Sequence, residues 1–241
     1  MRRAFPLLLL LLGCQAEQWD DCVTSTGPQG TEERAVGAFD RVVLEDRVDL
    51  VLVDRPAGTV VVEGGSNLLG QVVTDVEGGT LRVRNDNRCN WVRSFRPRIT
   101  VRVPRQGLRE LELHGTGDVR STDTVRSAVF RIEQHDAQGT VTLALAVDTC
   151  YVGLHTGAGD VHVAGHCGVA YLYSGLMGPI DAGGLRAQEV NVNNSAVTDI
   201  TCRAVQRLNV QLFDAGDVRY YGDPVLQATV TGSGQVVRSG P

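Results

Sequence analysis

The chain has 241 residues, 42% of them hydrophobic but only 5% aromatic, with 28 glycines and a formal net charge of -5. Glycine at about 12%, against a usual ~7%, argues against a large helical core, because each glycine weakens a helix interior by roughly 1 kcal/mol. All 23 basic residues are arginine, which removes Schiff-base and P-loop chemistry, and so acidic a chain has no general attraction for nucleic acid.

Met1-Arg2-Arg3 is a basic start and Leu7 to Leu12 an unbroken apolar run. The run is too short for a membrane span of ~20 residues and suits a secretory signal. It ends Leu11-Leu12-Gly13-Cys14, which resembles the lipobox of bacterial lipoproteins. That resemblance implies a signal peptide over residues 1–13, cut before Cys14, and a lipid on Cys14. Several acyl chains, at ~0.8 kcal/mol per buried methylene, would hold it to a membrane. The alternative is an ordinary signal cut after Ala16. Gln15, where an Asp would mark inner-membrane retention, favours the outer membrane, with its face left open. Residues 14–38 are polar, acidic and without alternation, and read as a tether to a domain over residues 39–241.

From Phe39 onward the dominant period is two, as in Val48-Asp49-Leu50 or Arg98-Ile99-Thr100-Val101-Arg102-Val103. No window carries a 3.6-residue apolar stripe, so the domain is all-β. In the second half a small residue, a turn residue and Val or Ile recur. They stand at Gly117-Asp118-Val119, Gly139-Thr140-Val141, Gly159-Asp160-Val161, Gly178-Pro179-Ile180, Thr198-Asp199-Ile200, Gly216-Asp217-Val218 and Gly234-Gln235-Val236. The spacings are 22, 20, 19, 20, 18 and 18. A fixed period near 20 marks a solenoid whose coils bury their faces against one another, with glycine supplying the corner backbone angles. An antiparallel sandwich is the other architecture such turns suit.

The blocks Phe39-Asp40-Arg41-Val42, Val62-Glu63-Gly64-Gly65-Ser66-Asn67-Leu68, Gly79-Thr80-Leu81-Arg82-Val83 and Asn87-Arg88-Cys89-Asn90-Trp91-Val92-Arg93-Ser94 extend the pattern. With the later Gly-x-Gly-Asp turns they resemble the bacterial "putative auto-transporter adhesin, head GIN domain" family over about 39–241. The resemblance implies a right-handed parallel β-helix with coils of about 18–22 residues, and it transfers no ligand.

Cys22 in the tether and Cys89 in the Cys-Asn-Trp block have no reason to bury a thiol, and we expect them to form a disulfide. Closing so long a loop contributes roughly 4 kcal/mol in the chain-entropy model. Cys202 reads as an inward, packed thiol. Cys150 and Cys167 fall on successive coils and read as isolated small hydrophobes, with pairing as the alternative. His114, His135 and His155 recur at spacings of 21 and 20 and read as a stacked column, continuing as Ser174 and Asn194. A metal site is the sharper alternative, but coils ~4.8 Å apart are too far spaced for a tetrahedral ion without convergence. Asp118, Asp160, Asp199 and Asp217 read as turn residues rather than calcium ligands. Arg82, Arg84, Arg93, Arg98 and Arg102 read as a solvated face paired with acids, and alternatively as contacts to acidic glycan or lipopolysaccharide phosphate. No catalytic constellation, metal or cofactor is expected. The sequence thus points to a lipid-anchored, non-enzymatic β-helix that binds a glycan or protein surface along a strand face. A self-associating structural solenoid and a polysaccharide-acting enzyme are the alternatives.

Overall fold

A computed structural model describes residues 25–87 and 98–240. Its N-terminal part holds β1 (Gln29–Ala35), β2 (Arg41–Leu44), β3 (Val48–Val53), β4 (Thr59–Gly65), β5 (Val72–Glu77), β6 (Thr80–Asn85) and β7 (Ile99–Pro104), with a 3-10 turn at Leu69–Gln71. There follow β8 (Glu110–Leu113), β9 (Val119–Ser121) and β10 (Val125–Gln134). Four long strands come next, β11 (Thr140–Leu154), β12 (Asp160–Ser174), β13 (Ile180–Asn194) and β14 (Ile200–Leu212). The last are β15 (Val218–Tyr221), β16 (Val225–Val230) and β17 (Val236–Gly240). From β10 onward every strand pairs in parallel with the strand one coil before it. The protein is a β-solenoid.

Parallel pairing places like residues on like, with the differences in coil length absorbed as register shifts after His162, Ala182, Ala187 and Tyr220. One inward column runs Leu111, Ile132, Val152, Leu172, Val192, Val210 and Ala228. A second runs Val119, Val141, Val161, Ile180, Ile200, Val218 and Val236. All but the last member of each are under 4% exposed, and burying a Val, Leu or Ile contributes roughly 1.5–3 kcal/mol. The long strands turn a corner at Asp148, Gly168 and Gln188, where the ladder breaks.

The turn glycines act differently from the expectation. Gly117, Gly139, Gly159, Gly216 and Gly234 are not in the left-handed region. A Cβ at Gly139 would overlap the Gly117 carbonyl, and one at Gly117 would overlap that of Val48. The corner therefore requires space for the neighbouring backbone. Positive φ falls two residues earlier in this turn, at Gly157 (φ 98).

The aspartates tie coil to coil. Asp49 accepts the Asp118 N–H at 3.0 Å, Asp118 that of Thr140 at 3.0 Å, Asp199 that of Asp217 at 2.9 Å and Asp217 that of Gln235 at 2.9 Å. Pro179 has no N–H to offer Asp160. The Asp160 carboxylate instead takes the Thr140 hydroxyl at 2.9 Å and lies 2.8 Å from His162 Nε2. These are turn residues, as read from the sequence.

Two features of the N-terminal part were not foreseen. The coil β2–β3 lies between β6–β7 and β8–β9, pairing with both in parallel, so the chain starts inside the solenoid and winds outward first. And Gln29–Ala35, within the stretch assigned to the tether, is a strand: β1 pairs antiparallel with β4, which pairs antiparallel with β7. Alternation is hidden there because β1 covers an end and has little face to bury. Together with β5, antiparallel to β6, these strands cap the core with Val60, Val62, Leu68, Leu69 and Val72.

Replacing Asp199 by Ala should orphan the Asp217 N–H and lower stability by about 1 kcal/mol, or about 2–4 °C in Tm. Asp199→Asn, which keeps an acceptor oxygen, should stay near the parent. Urea and thermal melts of the two variants check this.

Candidate functional site

The histidine column forms. The His114 and His135 ring centroids are 5.5 Å apart and inclined 18°; those of His135 and His155 are 4.4 Å apart and stacked nearly parallel at 2°. Glu112 lies 2.7 Å from His114 Nε2, and Glu133 lies 2.8 Å from His155 Nε2. His135 has no such carboxylate contact; burial, then the neighbouring His155 and His114, hold its pKa below the ordinary value. The predicted continuation is off by one residue. Ser174 and Asn194 align with Leu113, Gln134 and Leu154 in an inward column, whereas backbone hydrogen bonds carry the histidine column on through Gly175, Ser195 and Phe213. Among the described residues no group of three or more His, Cys, Asp and Glu side chains is arranged to hold a metal ion.

Beside that column, on the outward face of β10–β14 and β16, lies a groove of about 860 Å³. Two registers build it. One runs Arg131, Tyr151, Tyr171, Asn191, Asn209 and Gln227; the other Glu133, Gly153, Tyr173, Asn193, Gln211 and Thr229. Inward Val, Leu and Ala alternate with them along each strand, which holds these side chains outward. Tyr151 and Tyr171 stack at 4.8 Å and 7°, and Arg131 lies 3.8 Å over the Tyr151 ring. Tyr173 is tilted against His155 at 5.3 Å. The amides continue the stack: Asn209 donates to Asn191 at 2.9 Å and Asn193 to Gln211 at 3.3 Å. At Gly153 the missing side chain leaves room for the Glu133 carboxylate and the His155 ring, both of which a Cβ would strike. The groove lining therefore presents phenol hydroxyls and amide edges at one-coil intervals, with Glu133 at one end and Glu189 at its margin, where it accepts weak bonds at 3.5 Å from Asn191 and Asn209.

Sequence reasoning missed this face. Its signal was legible as Tyr171-Leu-Tyr173, Asn191-Val-Asn193, Asn209-Val-Gln211 and Gln227-Ala-Thr229, spaced 20, 18 and 18.

The predicted arginine row is paired with acids. Arg82 meets Glu45 at 2.5 Å, Arg84 meets Asp86 at 2.9 Å and Arg102 meets Glu63 at 2.7 Å. Arg98 bridges Asp49 at 3.1 Å and Asp118 at 2.8 Å. Arg93, Cys14, Cys22 and Cys89 lie outside the described residues. Cys150, Cys167 and Cys202 are buried free thiols. Cys150 aligns with Phe130 and Ala170, and Cys167 with Val147 and Ala187, so the two are three residues out of register. Burial pushes the thiols up, to about 12, 11 and 12 for Cys150, Cys167 and Cys202.

Two outcomes follow from these positions. Because His135 binds its proton less readily folded than unfolded, stability is full above the unfolded pKa of ~6.5 and falls as pH drops through it. His135→Gln should lose less Tm than the parent between pH 7 and pH 5, as paired thermal melts would show. Alkylation at pH 8 followed by peptide mapping should leave Cys150, Cys167 and Cys202 unmodified in the native chain and label all three in denaturant.

Solved structures share this fold. A putative adhesin from Bacteroides fragilis superposes with a TM-score of 0.79 at 24% identity, over 89% of this chain and 99% of that one. A putative adhesin from Parabacteroides distasonis gives 0.68 at 16%, over 89% and 98%. A putative lipid binding protein from the same species gives 0.65 at 20%, over 88% and 97%. At these identities the likeness is one of fold. No curated protein matches the chain. The family model described as "putative auto-transporter adhesin, head GIN domain" matches residues 38–224, and the chain belongs to that family.

Proposed function

We propose that this protein is a non-enzymatic binding module of the bacterial cell envelope, anchored at the outer membrane by a lipid on Cys14, and that it binds a glycan along the tyrosine–amide groove. The composition of that groove carries the reading. Each Asn or Gln offers both a donor and an acceptor, and each Tyr a hydroxyl, which suits a polyhydroxylated ligand lying along the coils. Stacking on neighbouring coils fixes the side chains before the ligand arrives, so little rotamer entropy is lost on binding. The lumen is filled by packed side chains, which leaves the outer faces for recognition. Enzymatic glycoside cleavage needs two carboxylates flanking the scissile bond; among the described residues Glu133 lines the groove, and the Glu189 carboxylate at its margin is tied to Arg207, Asn191 and Asn209. Family membership among putative adhesins supports a surface role. The Cys22–Cys89 disulfide belongs to the same proposal, as the clasp between tether and domain.

A glycan array followed by calorimetry on the best ligand tests the groove. Tyr171→Ala and Asn209→Ala should each weaken binding several-fold, at about 1 kcal/mol per lost hydrogen bond, with melts unchanged. Arg82→Ala, on the acid-paired face, should bind like the parent. Equal binding by all four chains would overturn the assignment.

A further inference from the structure

The two ends of the solenoid are built differently. At the N-terminal end the antiparallel strands β1, β4 and β5 cover the core, and the edge strands carry charge: Glu32, Glu33 and Arg34 on β1, Asp75 and Glu77 on β5. Arg34 also donates to the Leu69 carbonyl at 2.7 Å and to Thr74 Oγ1 at 3.2 Å, linking β1 to the segment around β5. Charges of this kind blunt an edge against further pairing.

At the C-terminal end β17 carries one charge, Arg238, paired with Asp223 at 3.3 Å, but the β16 side has neither device. Among the described residues β16 pairs with β14 alone. Its sequence, Val225-Leu226-Gln227-Ala228-Thr229-Val230, carries no charge. Leu226, Ala228 and Val230 continue the inward columns of Leu208, Val210 and Leu212. Those three are at most 2% exposed, whereas Leu226 is 40% and Val230 46% exposed, and Val225 at the strand's start is 75% exposed. Among the described residues nothing covers the core at this side of the solenoid's end. Thr231 donates its N–H to the Leu212 carbonyl. By the alternation of a strand, Leu226, Ala228 and Val230 then direct their N–H and C=O groups to the open edge.

We infer that this end is a homodimer interface, in which β16 pairs antiparallel with β16 of a second copy about a two-fold axis through Ala228. That register places Ala228 opposite Ala228, Leu226 opposite Val230 and Gln227 opposite Thr229. Every inward side chain then meets an inward side chain, and no like charges face each other. A head-to-tail filament is disfavoured by the capped, charged N-terminal end, so the association closes at two copies. Directly opposed, hydrogen-bonded residues lie at a Cα separation of about 5.5 Å, within the range a disulfide spans.

Ala228→Cys in the full chain tests the register. Under mild oxidation it should give a covalent dimer on a non-reducing gel well above the parent's background. Adding Leu226→Lys, which sets a charge in the apolar interface, should cut that yield at least tenfold while the far-UV circular dichroism of the reduced protein stays that of the folded parent. Thr31→Cys, on β1 at the capped end, should stay at background. A folded Ala228→Cys chain that remains monomeric would overturn the inference. So would equal cross-linking through Thr31→Cys, or multimers extending beyond the dimer.

Discussion

Everything in this protein depends on one coil lying flat on the next at the ~4.8 Å spacing of hydrogen-bonded strands. At the turns that spacing leaves no room for a side chain, and the Gly117 carbonyl occupies the place a Gly139 Cβ would take. The same repeat stacks the rings of His135 and His155 at 4.4 Å and those of Tyr151 and Tyr171 at 4.8 Å. It also lets Asp199 reach the Asp217 N–H, one coil on. Glycines, aspartates, histidines and tyrosines that look scattered along the chain are thus columns of one lattice, each chosen for what it tolerates from its own neighbour above and below.

What the sequence discloses follows from that repetition. A period near 20 is legible because seven turns repeat it, and the histidine column is legible because three histidines share it. The single-residue error at Ser174 and Asn194 arises because coil length varies between 18 and 22, so counting from a turn cannot decide which of two adjacent residues faces inward. The inverted winding of β2–β3 and β6–β7 leaves no trace in residue types, since a strand between two parallel neighbours reads the same whichever was made first. β1 is concealed for a different reason: an end-covering strand with Glu32, Glu33 and Arg34 has the composition of a linker. The tyrosine–amide face was in view as triplets of two polar or tyrosine residues around a Leu, Val or Ala, but amides on an outer face read as ordinary solubility until the register aligns them.

The inward column of Leu113, Gln134, Leu154, Ser174, Asn194 and Leu212 shows how the lattice admits polar groups to its core. Gln134, Ser174 and Asn194 are at most 1% exposed, and an unpaired polar group at such a site costs roughly 1–3 kcal/mol. Each is satisfied by the turn it borders. Ser174 donates to the Gly178 carbonyl at 2.9 Å, and Asn194 donates to the Thr198 carbonyl at 3.0 Å and accepts the Ala196 N–H at 3.1 Å. Gln134 reaches the Gly139 carbonyl at 3.5 Å, a weak bond. The turn carbonyls, which bend away from the regular ladder at the corner, need donors. A buried Ser or Asn supplies them from inside, where water has no access.

That inner bonding bears on the outer face. A turn pinned from within holds the start of the following strand in register, and the strand's outward residues inherit the alignment. The turn closed by Asn194 sits between β13 and β14, the strands that carry Asn191, Asn193, Asn209 and Gln211. A loosened turn there would let β14 slip against β13, and a slip of one residue exchanges inward for outward side chains along the whole strand. Leu208 and Val210 would then replace the amides on the groove, while Asn209 entered the core unpaired. The polar column and the binding face are therefore two consequences of the same register, and the groove is only as well defined as the turns that buried side chains hold shut.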